Sequence, residues 1–370
     1  MSGSLYDKVY GYLAGAAIGD AMGAAVENMH YLDIREQYGK VEGFLEYEPH
    51  AMGGRPPYET YSMHWHERRT EARKQAHPFG AWRLKAGVYT DDMRFRLLGL
   101  RSFLKRRRRI TGWEFAQDLI QYRVESASFP PEDPRRVWAD TMFILDELVQ
   151  MCLKSPFGHT LLVGGVWGSP AGIINAGDPR TGAQDGGLIG AVVAQAMHSE
   201  ATVESVIQTA FDYAEALPDG DYGPLPTWAS GFRTRLERAL RCADQSADVF
   251  ELIARLYEWL CATCPPFSVQ NVFEAAVAAL AMIHKSKGDF RQAVIGSVNF
   301  GRDCDTIAAI AGEILGALHG TGAIPPEWVR LIETENPEPP LREIASQIVE
   351  VLLEEAKRSH QIAEALMRME

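Results

Sequence analysis

Residues 301–319 read GRDCDTIAAIAGEILGALH, and this stretch decides the fold class. From Ile307 onward its apolar side chains recur every three or four residues, which is the spacing of one face of an α-helix. The same period returns along most of the chain, whereas strand-like alternation is seen only at 41–47. The pattern predicts an all-α protein with helices at about 203–216, 228–243, 246–262, 270–286, 289–298, 304–319 and 341–367.

Two stretches rich in glycine interrupt the helical pattern and are predicted to be loops. The first covers residues 48–89, and the second covers residues 155–187. Loops of this length in a globular protein usually carry function. Since neither an internal repeat nor a low-complexity tail appears, we expect residues 1–370 to form a single domain. The loop at about 48–89 is then an insertion, and a C-terminal helix follows at about 341–367.

The composition excludes several classes of protein. Of the 370 residues, 46% are hydrophobic and 23% are charged, as in a globular protein rather than a disordered chain. With 37 basic and 49 acidic residues the formal net charge is −12, so no nucleic-acid partner is expected. The five cysteines are an odd and sparse set, which favours a reducing compartment, and we expect the cytoplasm. Asp20 interrupts the apolar segment 9–26, so no membrane span is expected.

Three oxygen-bearing residues stand where the predicted helix 304–319 begins, namely Asp303, Asp305 and Thr306. Residues two positions apart cannot face one point on a regular helix, but in a turn that leads into a helix they can surround one ion. Hard oxygen ligands suit Mg²⁺, Mn²⁺ or Ca²⁺ rather than zinc. The alternative is that these residues only cap the helix, since Asp and Thr are favoured at helix N-termini.

Thr90, Asp91 and Asp92 repeat this chemistry at the start of another amphipathic segment, at about 93–105. Two adjacent acids repel each other, and burying both without a cation costs several kcal/mol. One such cluster is weak support for a metal site, but two clusters in one chain are much stronger. Together they supply enough oxygen atoms for a site with two metal ions.

The N-terminal segment carries glycines at every fourth position, which form one smooth helix face: Gly11, Gly15, Gly19 and Gly23. The favoured role of such a face is close packing against another helix. Asp20 and Glu27 are acids in otherwise apolar surroundings. We expect each of them to have a partner or a chemical task, because an unpaired buried carboxylate is costly.

These three segments, in this order, resemble the ADP-ribosylglycohydrolase family. The family pattern Gly-Asp-Ala-x-Gly, followed by a Glu, corresponds to residues 19–23 and Glu27. The family's Thr-Asp-Asp corresponds to residues 90–92, and its Gly-x-Asp-x-Asp-Thr-Ile-Ala-x-Ile-Ala-Gly corresponds to residues 301–312. Residues 314–319 and 324–328 also match the family, so that the resemblance spans roughly residues 5–335.

The resemblance implies a single-domain orthogonal helical bundle that holds two Mg²⁺ ions, with Mn²⁺ possible. The implied activity is hydrolysis of the glycosidic bond that links an ADP-ribosyl group to a protein or a small molecule. Glu27 is the implied catalytic or gating acid, and Asp92 is the second candidate for acid–base work. The implied metal ligands are Thr90, Asp91, Asp92, Asp303, Asp305 and Thr306.

The second glycine-rich stretch is the candidate for substrate binding, because backbone N–H groups can hold phosphate. The residues proposed for this role are Gly164, Gly165, Ser169, Asn175, Asp185 and Gly186. The family often has a His in this region, and the segment 184–187 lacks it. Two alternatives therefore remain open. One is an N-glycoside hydrolase of a smaller ribosyl or nucleoside-like metabolite, and the other is a non-catalytic, metal-binding structural relative.

Overall fold

The computed structural model describes residues 4–27, 29–46, 85–128, 168–216, 232–261 and 272–369. Within these ranges the chain forms fourteen α-helices and no β-strand, and one isolated antiparallel bridge pairs His30 with Gly301. A π-helical turn at Tyr257–Cys261 continues the ninth helix, and a 3₁₀ turn lies at Thr321–Ala323. The helices are α1 Leu5–Gly23, α2 Tyr31–Tyr38, α3 Asp91–Arg106, α4 Gly112–Ser126, α5 Ser169–Ile174, α6 Pro179–Ala196, α7 Val203–Ala216, α8 Phe232–Gln245, α9 Val249–Leu256, α10 Val272–Lys285, α11 Phe290–Phe300, α12 Cys304–His319, α13 Pro326–Glu335 and α14 Leu341–Met367.

The predicted all-α class is confirmed, and several predicted helices are found with the same bounds. Helices α7, α12 and α14 begin and end at the predicted residues. Five of the described helices were not predicted, namely α2, α4, α5, α6 and α13. The strand-like piece is wrong as far as it is described, since residues 41–46 form no strand. The predicted loop insertion lies outside the described residues except for 85–89, which lead into α3.

The predicted loop at 155–187 is wrong for its second half, because residues 169–174 and most of 179–187 are helical. The glycines that suggested a loop serve packing instead. Helix α6 is kinked at Gly187, where φ is 61°. Across this kink, a Cβ built on Gly182 would lie 2.6 Å from the carbonyl oxygen of Gly190. The two halves of the helix can therefore approach each other only because both residues lack a side chain.

Helix α1 is the centre of the fold and packs antiparallel against α12. All of its residues from Lys8 to Gly23 are buried. A Cβ built on Gly15 would lie 2.1 Å from the carbonyl oxygen of Gly312, and one on Gly19 would lie 2.1 Å from that of Ala308. Gly11 and Gly23 make equally close approaches to the backbone of α12. The predicted packing role of the glycine face is thus confirmed.

This antiparallel contact decides which ends of the two helices lie together. A Cβ on Gly23, the last residue of α1, would lie 2.3 Å from the Cα of Asp305 in the first turn of α12. At the opposite end, Lys8 is buried and its Nζ donates to the carbonyl oxygens of Ala317 and Leu318, at 3.0 and 2.9 Å. A lysine in this place satisfies carbonyl groups that the end of α12 leaves without intrahelical partners. None of the helices in the described ranges is both long enough and apolar enough to cross a bilayer.

Replacing Gly15 with Ala tests the backbone contact. The added methyl group meets the backbone of α12 and cannot be accommodated by a change of rotamer, so the two helices must separate. We expect the free energy of unfolding to fall by about 3 kcal/mol or more, measured by chemical denaturation. Gly43→Ala is the matched control, since no atom lies within 4 Å of a Cβ at that position. Equal stability of the two variants would show that α1 and α12 are not in close contact.

Candidate metal centre

The two acidic clusters meet at one place, where the end of α1 and the beginnings of α3 and α12 come together. The hydroxyl of Thr306 on α12 donates to Asp92 Oδ2 on α3 at 3.0 Å, across 214 positions of sequence. The same hydroxyl lies 3.0 Å from Asp303 Oδ1. Asp20 on α1 accepts hydrogen bonds from the backbone of the segment that contains Thr90. The site is therefore assembled from both ends of the chain.

Among the described residues, two groups of three carboxylates have ligand atoms close enough to hold a cation. In each group the atoms all lie within 4.8 Å of one another, and Asp305 belongs to both. The first group is Glu27, Asp303 and Asp305, and the second is Asp91, Asp92 and Asp305. Because every donor is a hard oxygen, the set fits Mg²⁺, Mn²⁺ or Ca²⁺ and does not fit a zinc site of nitrogen and sulfur ligands.

Helix α3 begins with two acids that do not cap it, because Asp20 of α1 caps it instead. The side chain of Thr90, at the N-cap position, makes no capping hydrogen bond within its own helix. Asp20 takes that role from α1, since its carboxylate accepts from the backbone N–H of Thr90 at 2.9 Å and from that of Met93 at 2.8 Å. It also accepts from the Thr90 hydroxyl. With the helix capped from outside, the carboxylates of Asp91 and Asp92 are available for another purpose.

The side chain of Asp303 does not cap α12, so the helix-capping alternative does not hold for this residue. This residue occupies the N-cap position of α12, but its side chain makes no capping hydrogen bond to the helix backbone. Its Oδ1 accepts from the Thr306 hydroxyl instead. Asp305 accepts from the backbone N–H of its neighbour Thr306 at 2.9 Å. Both carboxylates are thus oriented by Thr306 toward the same region.

The turn that precedes α12 has an unusual backbone held by a buried ion pair. Arg302 has a φ of 59°, in the left-handed region that is costly for a residue with a side chain. Its backbone N–H donates to the carbonyl oxygen of Met29 at 2.9 Å. Its guanidinium is buried and donates to both carboxylate oxygens of Glu274 on α10, at 2.5 and 2.9 Å. These contacts fix the residue immediately before Asp303.

Glu27 lies in the turn after α1 and is half-buried. The position of this turn is set from α12, because the thiol of Cys304 donates to the carbonyl oxygen of Gly23 at 3.4 Å. Sequence reasoning assigned Glu27 to catalysis or gating and not to metal binding. In the structure a carboxylate oxygen of Glu27 lies within 4.8 Å of carboxylate oxygens of Asp303 and Asp305. The catalytic or gating role of Glu27 stays a prediction.

Burial and mutual repulsion raise the pKa values of these acids. Burial raises the pKa of Asp305 well above its ordinary range, and the charges of Glu27 and Asp92 add to the effect. Burial also raises the pKa of Asp92, although the adjacent Arg96 opposes the shift. The pKa of Asp303 rises to about 6, mainly through burial. A bound divalent cation would offset this repulsion, so the site is electrostatically suited to one.

The predicted substrate residues do not all have the same surroundings. Ser169 is fully buried, and its hydroxyl donates to Glu313, so the structure gives it a supporting place rather than a surface that a substrate can touch. Asp185 is exposed and accepts from the side-chain amide of Asn175 at 2.9 Å. Gly186 is buried and packs against the backbone of residue 168. Gly164 and Gly165 lie outside the described residues.

Sequence reasoning missed two buried arginines and their partners. Arg302 pairs with Glu274, and Arg96 pairs with Glu313 on α12 at 2.6 Å. A signal for the second pair was present, because Glu313 is the only ionisable residue in the apolar run 307–318. An acid in such a run needs a buried cation, and Arg96 occurs within the amphipathic segment that follows Asp92.

Comparison with known proteins agrees with this arrangement. A sequence model of the family described as ADP-ribosylglycohydrolase matches residues 1–154 and 169–361. The chain therefore belongs to the ADP-ribosylglycohydrolase family, and the resemblance seen in its motifs is confirmed. Members of this family depend on metal ions, which the two carboxylate groups could hold.

Two curated relatives match shorter parts of the chain. ADP-ribosylarginine hydrolase Tri1 of Pseudomonas putida (strain GB-1) is 38% identical over 61 residues, which is 16% of this chain and 16% of that protein. Uncharacterized protein YegU of Escherichia coli (strain K12) is 29% identical over 102 residues, 28% of this chain and 29% of that protein. The matched segments thus span less than a third of either relative.

The raised pKa of Asp303 gives a test of metal binding that needs no substrate. In the folded protein this group keeps a proton up to about pH 6, whereas an unfolded chain loses it near the ordinary value of 3.8. Between these values the metal-free folded state binds more protons than the unfolded state, so its stability falls as the pH rises. A cation competes with the proton for the same oxygens. We expect the increase in melting temperature caused by Mg²⁺ to be larger at about pH 7.5 than at about pH 5.

The measurement is a thermal melt with excess Mg²⁺ and with a chelator at both pH values. Asp212→Ala, which removes an exposed acid on α7, is the control for a general effect of charge and should behave like the parent. A gain in melting temperature that is the same at both pH values would mean that Mg²⁺ does not displace protons from these carboxylates.

Proposed function

We propose that this protein is a metal-dependent hydrolase that cleaves the ribosyl glycosidic bond of an ADP-ribosylated protein or small molecule. The observation that carries the proposal is the sharing of Asp305 between two carboxylate groups, in a chain that belongs to the ADP-ribosylglycohydrolase family. Two neighbouring groups with one common member have the form of a site for two ions. We propose Mg²⁺ as the ion, with Mn²⁺ as the alternative.

The residues that would hold the two ions are those proposed from the sequence. Asp305 would contribute to both positions, and the remaining ligands would come from the beginnings of α3 and α12. Bound divalent ions would supply Lewis acidity for the ribose hydroxyl groups and for water. The proposed set is Thr90, Asp91, Asp92, Asp303, Asp305 and Thr306.

The carboxylates also have a direct electrostatic task in glycosidic cleavage. The transition state of this reaction resembles an oxocarbenium ion, with positive charge on the anomeric carbon and the ring oxygen. A site lined by acids held in fixed positions stabilises that charge more than it stabilises the neutral ground state. Asp20 contributes indirectly, because it holds Thr90 in place. Thr306 is a proposed ligand and also bonds to Asp92 and Asp303.

Glu27 is the residue we propose for proton transfer. It lies on a turn rather than within a helix, it is half-buried, and its carboxylate adjoins Asp303 and Asp305. Such a group can accept a proton from the attacking water at a carboxylate oxygen, or assist the leaving group. Asp92 is the second candidate, but its two oxygens already bond to Arg96 and Thr306.

The first substrate to test is arginine-linked ADP-ribose. The support for this choice is the name of the Pseudomonas putida relative, an ADP-ribosylarginine hydrolase, which matches 16% of this chain. The experiment is a panel of ADP-ribosylated arginine, serine and small molecules, together with smaller ribosyl metabolites, each assayed with Mg²⁺ and with a chelator. Turnover of the smaller metabolites alone would favour the N-glycoside alternative. Metal binding without any turnover would favour the non-catalytic alternative.

Asp305→Ala tests the shared ligand. This change removes an oxygen from both carboxylate groups, so we expect metal affinity to fall by more than about 100-fold and turnover to be lost. Asp303→Ala should show the same direction of change, since it removes a ligand from one group. Metal content and binding can be measured by calorimetric titration of the chelated protein. Asp212→Ala again serves as the control. Full Mg²⁺ affinity in Asp305→Ala would contradict the proposed centre.

Glu27→Gln separates proton transfer from metal binding. Glutamine keeps the shape of the side chain and its hydrogen-bonding capacity but cannot accept a proton at neutral pH. We expect metal affinity to persist while kcat falls by about 100-fold or more. KM should change less, because the ground-state contacts to the sugar come from elsewhere. Loss of metal in this variant would identify Glu27 as a ligand, and unchanged kcat would assign proton transfer to another residue such as Asp92.

A further inference from the structure

A buried polar network lies directly behind the first turn of α3. Arg96 and Glu313 are both fully buried, and the Nε of Arg96 donates to Glu313 Oε2 at 2.6 Å. The hydroxyl of Ser169 donates to the same oxygen at 2.6 Å, and the hydroxyl of Tyr12 lies 2.5 Å from that of Ser169. The four side chains come from α3, α12, α5 and α1, so the network joins four helices.

Stability alone does not account for this ion pair. Taking two charges out of water costs several kcal/mol per ion, and a pair of apolar side chains of similar volume is often equally or more stabilising. Both side chains are 0% exposed, so water does not solvate either charge. A pair of charges in such a place has a further role when one of them reaches a functional group.

Arg96 reaches Asp92. Its Nη1 donates to the backbone carbonyl oxygen of Asp92 at 2.9 Å and to Asp92 Oδ1 at 3.3 Å. The other carboxylate oxygen of Asp92, Oδ2, accepts from the hydroxyl of Thr306 at 3.0 Å. The two oxygens therefore have different partners. Oδ1 is held by Arg96 on the inner side, and Oδ2 points to Thr306, which also bonds to Asp303.

We infer that Arg96 is a positioning residue, which holds the Asp92 carboxylate so that Oδ2 faces the metal centre. Glu313, which accepts from Ser169, holds the guanidinium by its Nε and leaves Nη1 directed at Asp92. Arginine suits this role, since its Nε serves Glu313 while its Nη1 serves Asp92. The inference rests on the metal centre proposed above and names the device that orients one of its ligands.

The test separates positioning from packing by removing both charges together. The variant Arg96→Met with Glu313→Leu removes the ion pair as a whole, whereas Arg96→Met alone leaves Glu313 buried without a cation. We expect each single variant to melt at a lower temperature and the double variant to recover most of the parent's melting temperature. Its affinity for Mn²⁺, titrated into chelated full-length protein and followed by electron paramagnetic resonance, should nevertheless be about 10- to 100-fold weaker.

Arg101→Met is the matched control. Arg101 lies on the same helix as Arg96, but it is exposed and pairs with Glu125 at 3.1 Å. This variant should bind Mn²⁺ like the parent. If the double variant combines the parent's melting temperature with the parent's Mn²⁺ affinity, the network only joins helices and the inference is wrong.

Ser169→Ala decides the question if the double variant does not fold. It removes one hydrogen bond to Glu313 and changes no charge, so we expect a weaker Mn²⁺ affinity by about fivefold, the equivalent of one hydrogen bond. Unchanged affinity in this variant would overturn the inference. Because the readout is ion binding, a parent protein that binds Mn²⁺ but hydrolyses no ADP-ribosyl substrate contradicts the proposed function and leaves this test valid. A parent that binds no Mn²⁺ overturns both.

Discussion

The backbone contact between α1 and α12 sets the geometry on which the remainder of the site depends. Glycines on both helices bring the two backbones so close that a methyl group at Gly15 or Gly19 would meet a carbonyl oxygen of the partner helix. The end of α1 is thereby fixed beside the first turn of α12. Asp20 then caps α3 from α1, which brings the first acidic cluster to the second. The ends of three helices therefore meet because two backbones pack in direct contact.

Each acidic cluster has a buried arginine–glutamate pair behind it. Arg96 and Glu313 lie behind Asp92, while Arg302 and Glu274 lie behind Asp303. In both pairs the arginine belongs to the segment that bears the acid and the glutamate belongs to a neighbouring helix. The acids are thus restrained from the inside, and burial, with mutual repulsion adding to it, raises the pKa of Asp305. Such restraint prepares oxygen ligands for a cation before the cation arrives.

The sequence was most informative where one periodic pattern accounts for one element. The 3.6-residue period predicted α7, α12 and α14 with their observed bounds, and the two clusters of acids and threonine beside apolar helices are found together. The sequence did not predict α6, because glycines that allow close packing cannot be distinguished in a sequence from glycines that form a loop. The partners of Arg96 and Arg302 depend on tertiary contacts between segments distant in sequence, which no local pattern contains. Binding of metal at the predicted ligands, and of substrate at residues such as Asp185, stays a prediction.

The pairing of α1 with α12 has a consequence for the order of events during synthesis. Gly23 and Cys304 are in contact across 281 positions of sequence, so α1 leaves the ribosome long before its partner exists. Until then a helix that is buried along nearly its whole length in the finished protein has no surface to cover it. Contacts of such long range form late and leave apolar segments open to aggregation. Any activity that needs both acidic clusters can therefore begin only after residues 303–306 have been synthesised.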